Sequence, residues 1–326
     1  MPLVAVTDYT FPDLAIETAI LQSAGCELIP GQGKAAELLI PLVSQADAVI
    51  TQFAPITADV IAAMNQVRVI VRYGIGVDNV DLAAARAKGI PVCNVPDYCV
   101  DEVADHTLAF ILATTRQVMQ NTLHIRAGEW GLATPLDQLR TMRDEVVGIV
   151  GFGRIGREVA ARLAPFKCRR LVFDPVVSAD TIHSSGCEAV AFEALLAEAD
   201  IVTLHCPSTS QTRKLLNADS IANMKRGAIV INLARGDLID TSALVAALQA
   251  GHIAAAAIDV CDPEPIPRDS PLRSLPNVIA ASHIASASVK SVRTLRETAA
   301  RLVVTALRGE PLPNIVNGVT SHSSSR

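Results

Sequence analysis

The chain has 326 residues, half of them hydrophobic and 19% charged, with a formal net charge of −5. That length suggests about two domains, the apolar content supplies a large core and excludes wholesale disorder, and the acidic balance argues against a nucleic-acid partner, which needs concentrated positive charge. No apolar run reaches the ~18 residues of a membrane span. The seven cysteines are odd in number and none are spaced C-x-x-C, which argues against a disulfide framework and against a structural metal site. The opening residues, MPLVAVTDYT, have no basic n-region and enter a strand pattern at once, so they read as strand rather than signal peptide. A soluble, cytoplasmic, globular protein is expected.

Short β-branched apolar runs at 3–6, 48–50, 67–71 and 90–92 have the composition of strands in a buried parallel sheet. Helical segments lie between them; Asp81 caps one that runs to Lys88, and Gly89 ends it. Residues 97–117 contain a long helix with apolar positions at Val103, Leu108, Ile111, Leu112 and Thr115. Residues 126–145, with Gly, Pro and scattered charge, read as loop. A second series of strands follows at 146–150, 171–173, 201–204, 229–231, 254–258 and 278–281, then a long amphipathic helix over 288–307. The polar tail, residues 321–326, reads as disordered. This βαβα rhythm predicts an α/β fold.

The strand at 146–150 runs directly into Gly151-Phe152-Gly153-Arg154-Ile155-Gly156 and a helix. In that context the three glycines have distinct uses. Gly151 permits the tight turn, Gly153 lets backbone approach a pyrophosphate, and Gly156 lets helix pack on strand. The helix N-terminus attracts the phosphates. Asp174 ends the next strand, where a carboxylate accepts both ribose hydroxyls and repels a 2′-phosphate. No Arg follows it in Pro175-Val176-Val177, so NAD(H) is favoured over NADP(H). A glycine turn with a surface Asp, or a loop for S-adenosylmethionine, are the alternatives at this point.

Arg235, Glu264 and His283 each follow a predicted strand end. In a parallel sheet such positions share one edge, where ligands bind. Taken singly, each also reads as an ordinary surface, loop or structural residue. His106, His124, His183 and His252 have no such context and read as structural or surface.

Several stretches together resemble the D-isomer-specific 2-hydroxyacid dehydrogenases. They are Arg72-Tyr73-Gly74-Ile75-Gly76-Val77-Asp78-Asn79-Val80-Asp81, Gly89-Ile90-Pro91-Val92-Cys93-Asn94-Val95-Pro96, the GFGRIG turn, NLARG around Arg235, DVCDPEP around Glu264, and His283-Ile284-Ala285. The resemblance covers about residues 40–317. Within the family, the stretch from Pro96 to His106 is similar to the C-terminal-binding-protein branch. The resemblance implies two Rossmann-like or flavodoxin-like parallel-sheet domains with a cleft between them: 98–287 for NAD, and 1–97 with 288–326 for substrate. It implies that Arg235 grips a substrate carboxylate, that His283 is the acid–base group, and that Glu264 orients and charges it. A methyltransferase has no use for this trio, which disfavours S-adenosylmethionine.

Gly151, Gly153, Arg154, Ile155, Gly156, Asp174, Cys206, Pro207, Leu233, Ala234, Asp259 and Ala285 are implied cofactor positions, with His205 adjoining them and given no proton to move. Gly74, Ile75 and Gly76 are implied backbone donors to the substrate, although a plain turn is the alternative there. Arg72, Phe53, Tyr98 and Trp130 are weaker candidates for the substrate pocket. Two departures stand out: Cys99 and Val100 replace the usual Ser or Thr that opens the long helix, and Ser286 stands where Gly is common. No metal is implied. The expected activity is NAD-dependent interconversion of a D-2-hydroxy acid and its 2-keto acid by a homodimer, phosphoglycerate-dehydrogenase-like in organisation. The alternative is an NADH-sensing regulatory binding protein.

Overall fold

The computed structural model describes residues 1–320, so the tail at 321–326 lies outside the described residues. The chain divides into two compact units, one of Met1–Cys99 with the chain from Ser288 onward, the other of Val100–Ala287. The boundaries expected from the sequence were 97/98 and 287/288.

The first unit begins with β1 (Leu3–Val6), α1 (Ala15–Ser23), β2 (Glu27–Pro30), α2 (Ala36–Val43) and β3 (Ala48–Thr51). It continues with α3 (Ala58–Ala62), β4 (Ile70–Arg72), α4 (Leu82–Ala87) and β5 (Val92–Cys93). The five strands are parallel in the order β2-β1-β3-β4-β5. Successive strand residues face opposite sides. Val4, Val6, Ile50 and Val71 pack in one cluster with Leu21 of α1, whereas Ala5, Val49, Ile70 and Val92 pack in another with Leu39, Val60 and Ala85 of α2, α3 and α4. Both faces are covered, which is why these strands are almost wholly apolar. Edge strand β2 escapes that pattern because Glu27 and Pro30 at its ends are exposed.

The second unit holds α5 (Val100–Thr115), α6 (Val118–Arg126), β6 (Val146–Val150), α7 (Arg154–Leu163), β7 (Arg169–Phe173) and α8 (Ala179–Ser184). Then come β8 (Glu188–Ala189), α9 (Phe192–Glu198), β9 (Ile201–Leu204), α10 (Ala218–Ala222), β10 (Ala228–Asn232), α11 (Thr241–Gln249), β11 (Ile253–Ile258) and β12 (Val278–Ala280). The seven strands are parallel, in the order β12-β11-β10-β9-β6-β7-β8. Helix α6 was not read from the sequence: it buries none of its residues, and Gln117, in a left-handed conformation at φ 53°, separates it from α5. Residues 127–145 are irregular apart from two short 3-10 turns at Leu136–Gln138 and Met142–Asp144.

Helix α12 (Val289–Leu307) returns the chain to the first unit. Ser288 and Ser291 form a reciprocal capping box at its start, at 2.8 and 2.9 Å. Leu295, Ala299, Leu302 and Val303 join the cluster that holds α1. One buried ion pair locks the two helices. Arg296 donates Nε to Glu17 Oε1 at 2.8 Å and Nη2 to Glu17 Oε2 at 2.7 Å, and the Tyr73 hydroxyl donates to Glu17 Oε1 at 3.0 Å. Glu17 is completely buried. Removing the cation would strand a carboxylate in the core, so Arg296→Met should destabilise the protein by about 3–5 kcal/mol in chemical denaturation. A change of under about 1 kcal/mol would show that the pair is incidental to the packing.

Candidate functional site

The glycine loop joins β6 to α7. Gly151 sits at φ 95°, and a Cβ on it would lie 2.7 Å from the backbone of His205 and Cys206, just past the end of β9. A Cβ on Gly156 would lie 2.1 Å from the Gly151 carbonyl oxygen. Internal packing therefore accounts for both. Gly153 is different. Its φ is −72°, open to any residue, and a Cβ there would meet nothing within 4 Å. Nothing within the protein demands glycine at 153, so the backbone there is open to the approach of a ligand. Arg154 and Ile155 begin α7, so the positive end of that helix lies at the loop.

Asp174 follows β7 beside this loop. Its Oδ2 accepts from Phe152 N–H at 2.7 Å, and its Oδ1 accepts from Val176 and Val177 N–H at 2.8 and 3.0 Å. Burial alone would push the carboxyl up, but those three amides and the Arg157 charge outweigh it and hold the pKa below the ordinary value. A fixed negative charge therefore stands at the tip of β7. His205 is held by Thr203 Oγ1, 2.9 Å from its Nε2, and burial pushes its imidazole down to about 3, so it stays neutral.

The three candidate catalytic residues belong to loops that follow β10, β11 and β12. His283 Nδ1 lies 3.1 Å from Glu264 Oε2. Burial would raise the Glu264 carboxyl; the His283 hydrogen bond and charge, the Cys261 N–H and the Arg235 charge overcome this and lower it. Arg235 is thus near enough to act on Glu264 electrostatically. Gly236 explains how these loops approach: a Cβ there would lie 2.0 Å from the Cys261 carbonyl. Leu233, Ala285 and Asp259 are buried, whereas Cys206 and Ala234 are half-buried and Pro207 is exposed. Asp259 accepts from Ile284 and Ala285 N–H, both at 2.8 Å.

In the first unit, Gly74 follows β4 at φ 142°, and the Arg72 guanidinium folds over the place a side chain would take. The Gly74 N–H donates back to Arg72 O at 2.9 Å. The carbonyls of Gly74 and Ile75 are tied by Val95 N–H at 3.0 Å and by Asn94 Nδ2 at 2.7 Å. The N–H groups of Ile75 and Gly76 donate to no group among the described residues. Phe53 lies under the Arg72 and Lys34 cations, Tyr98 packs against the first unit's core, and Trp130, in the second unit, is 92% exposed. His106 lies edge-on to Phe110, and His252 Nε2 bonds Ile221 O at 2.9 Å. Among the described residues no cluster of His, Cys, Asp or Glu could hold a metal, and no helix is long and apolar enough to cross a membrane.

The second and third glycines of the loop make a paired test. Gly153→Ala should melt like the parent and weaken dinucleotide binding about tenfold or more, because only the ligand needs that space. Gly156→Ala should cost roughly 1–3 kcal/mol of stability through overpacking against Gly151. Unchanged dinucleotide affinity in Gly153→Ala would remove the loop from the binding site.

Comparison with known proteins identifies the family. Residues 108–285 match the model of the D-isomer specific 2-hydroxyacid dehydrogenase, NAD binding domain. A glyoxylate reductase of Korarchaeum cryptofilum is 38% identical over 284 residues, 86% of each chain. A D-3-phosphoglycerate dehydrogenase of Mycobacterium leprae is 36% identical over 280 residues, 86% of this chain but 52% of that protein, so the chain spans about half of that longer relative. The crystal structure of D-lactate dehydrogenase from Aquifex aeolicus, complexed with NAD and lactic acid, superposes with a TM-score of 0.87 at 26% identity, covering 94% of this chain and 96% of that one. The chain belongs to the D-isomer specific 2-hydroxyacid dehydrogenases, and Val100–Ala287 contains their NAD-binding domain.

Proposed function

We propose that this protein interconverts a D-2-hydroxy acid and its 2-keto acid with NAD as cofactor, Arg235, Glu264 and His283 forming the catalytic set. The observation that carries the reading is the 3.1 Å contact of His283 with Glu264, within reach of the Arg235 charge. The open space at Gly153, the N-terminus of α7 and the carboxylate of Asp174 suit the pyrophosphate and ribose of a dinucleotide. Cys206, Pro207, Leu233, Ala234, Asp259 and Ala285 line its nicotinamide end. When bound, NAD supplies or takes up the hydride.

The protein supplies the rest. The planar fork of Arg235 pairs with the substrate carboxylate and polarises the neighbouring carbonyl. Glu264 fixes the proton of His283 on Nδ1, which leaves Nε2 for the reacting oxygen. In reduction Nε2 gives its proton to the carbonyl oxygen, and in oxidation it takes the hydroxyl proton. The N–H groups of Ile75 and Gly76, with Gly74 setting their turn, are the donors we assign to substrate binding in the first unit. NAD is assigned to the second unit, which also carries Arg235 and His283.

A homodimer is the assembly we propose. Val118, Leu123 and Ile125 of α6, and Trp130, Leu132 and Leu136 after it, expose large apolar side chains close together in the chain. All seven cysteines are free thiols, which suits the reducing cytoplasm.

The test is NADH consumption by the purified protein against a panel of 2-keto acids, with NADPH in parallel. Turnover with NADH is expected, and His283→Ala should lower it by about 10²–10⁴ while NADH binding survives. NADH bound with no turnover on any acid would favour the sensing alternative. The pH dependence has a definite sign. The Glu264 pKa is depressed, so its carboxylate persists to lower pH than usual and its contribution is lost only as pH falls through that lowered value. The acid limb of kcat/KM should therefore fall below the ordinary carboxylate range, and Glu264→Gln should abolish it.

A further inference from the structure

Two buried polar side chains close the ends of β10 and β11, and what they hold is the pair of loops that bear Arg235 and His283. Asn232 is wholly buried. Its Oδ1 accepts from Ala234 N–H at 3.0 Å and its Nδ2 donates to Arg235 O at 2.8 Å. Its own carbonyl accepts from Asp259 N–H at 2.9 Å. Asp259, 1% exposed, repeats the arrangement one strand over. Its carbonyl accepts from His283 N–H at 2.7 Å, and its two carboxylate oxygens take Ile284 and Ala285 N–H at 2.8 Å each. An unbroken run of hydrogen bonds thus passes from the Arg235 loop through Asn232 and Asp259 to the His283 loop.

Burying an amide and a carboxylate is costly unless both are satisfied. Packing alone calls for neither, since the sheet interior around them is aliphatic. What the two gain is control of backbone direction. His283 is in the left-handed region at φ 58°, which a non-glycine residue keeps only when its surroundings impose it. The N–H groups of His283, Ile284 and Ala285 all donate to Asp259, and those bonds impose it here. A displacement of ~1 Å of an oriented group can cost about 10²-fold in rate.

We propose that Asn232 is a positioning residue: through its two side-chain bonds it sets the carboxylate grip of Arg235. The proposal rests on the roles given above to Arg235 and His283. Asn232 needs to touch no reacting atom for it to hold, and Asp259, which lies at the nicotinamide end, ties its loop to that of His283.

The test measures three quantities on full-length protein: NADH affinity by fluorescence, affinity of the NADH-loaded protein for oxamate, and kcat and KM on the best acid of the panel. Asn232→Ala removes both side-chain bonds to the Arg235 loop. It should weaken oxamate and raise KM about tenfold, with NADH affinity and the acid limb of the pH profile unmoved. Asn232→Asp keeps the volume and the bond from Ala234 but cannot donate to Arg235 O, so it should shift KM in the same direction and guards against a folding defect in the first variant. Variants that lose only thermal stability, with kcat, KM and oxamate affinity of the parent, would overturn the proposal. Arg235→Lys and His283→Ala run beside them. Parental turnover in those two defeats the catalytic reading itself, whereas their loss of turnover beside a parental Asn232→Ala defeats the positioning proposal alone.

Discussion

At Gly151 the ends of β6 and β9 come so close that a side chain would have to occupy backbone already in place. These strands are neighbours at the centre of the seven-stranded sheet, and from β6 the chain builds β7 and β8 to one side, then β9, β10, β11 and β12 to the other. Ligands of parallel sheets bind where strand order reverses in this way. The close approach has a second consequence. Gly156 packs on the Gly151 carbonyl and brings the first turn of α7 onto the crest of the sheet, so that its positive end is available to an anion. The site on this unit depends on that contact more than on any single charged residue.

Chemistry is then distributed along the same edge. Asp174 past β7 supplies a fixed negative charge, its carboxylate form stabilised by three backbone amides. Arg235, Glu264 and His283 come from the loops after β10, β11 and β12, which approach one another because Gly236 allows backbone contact with Cys261. Each of these acts through geometry that other residues hold. Parallel strands place such loops side by side without dictating their internal conformation, so buried polar anchors are required, and Asn232 and Asp259 fill that place.

Much of this was legible in the sequence, for physical reasons that also explain the gaps. The central strands are β-branched and apolar because both faces of each sheet are covered, and β1, β6 and β9 fall where that pattern puts them. Edge strands β2 and β8 carry exposed polar residues and have no such signature. Helix α6 is invisible to periodicity because it buries nothing. The glycine loop and the acidic residue 18 positions after Gly156 were recognisable because backbone geometry fixes residue type there. The ties on the Gly74 and Ile75 carbonyls from Val95 and Asn94, and the Asn232–Asp259 link, arise from register between separate strands. No local pattern encodes that register. The one local hint for Asn232 was a polar residue ending an apolar strand just before the Arg loop.

The central claim is that the edge carrying Arg235, Glu264 and His283 reduces a carbonyl by direct hydride transfer, with His283 as proton donor. The most direct measurement supplies NADH carrying deuterium at the transferred position of C4, with a 2-keto acid, and determines where the label goes and the configuration of the product. The account predicts deuterium at C2 of a D-2-hydroxy acid, with the oxygen-bound proton drawn from solvent through His283. Label washed into water, or an L product, would contradict it.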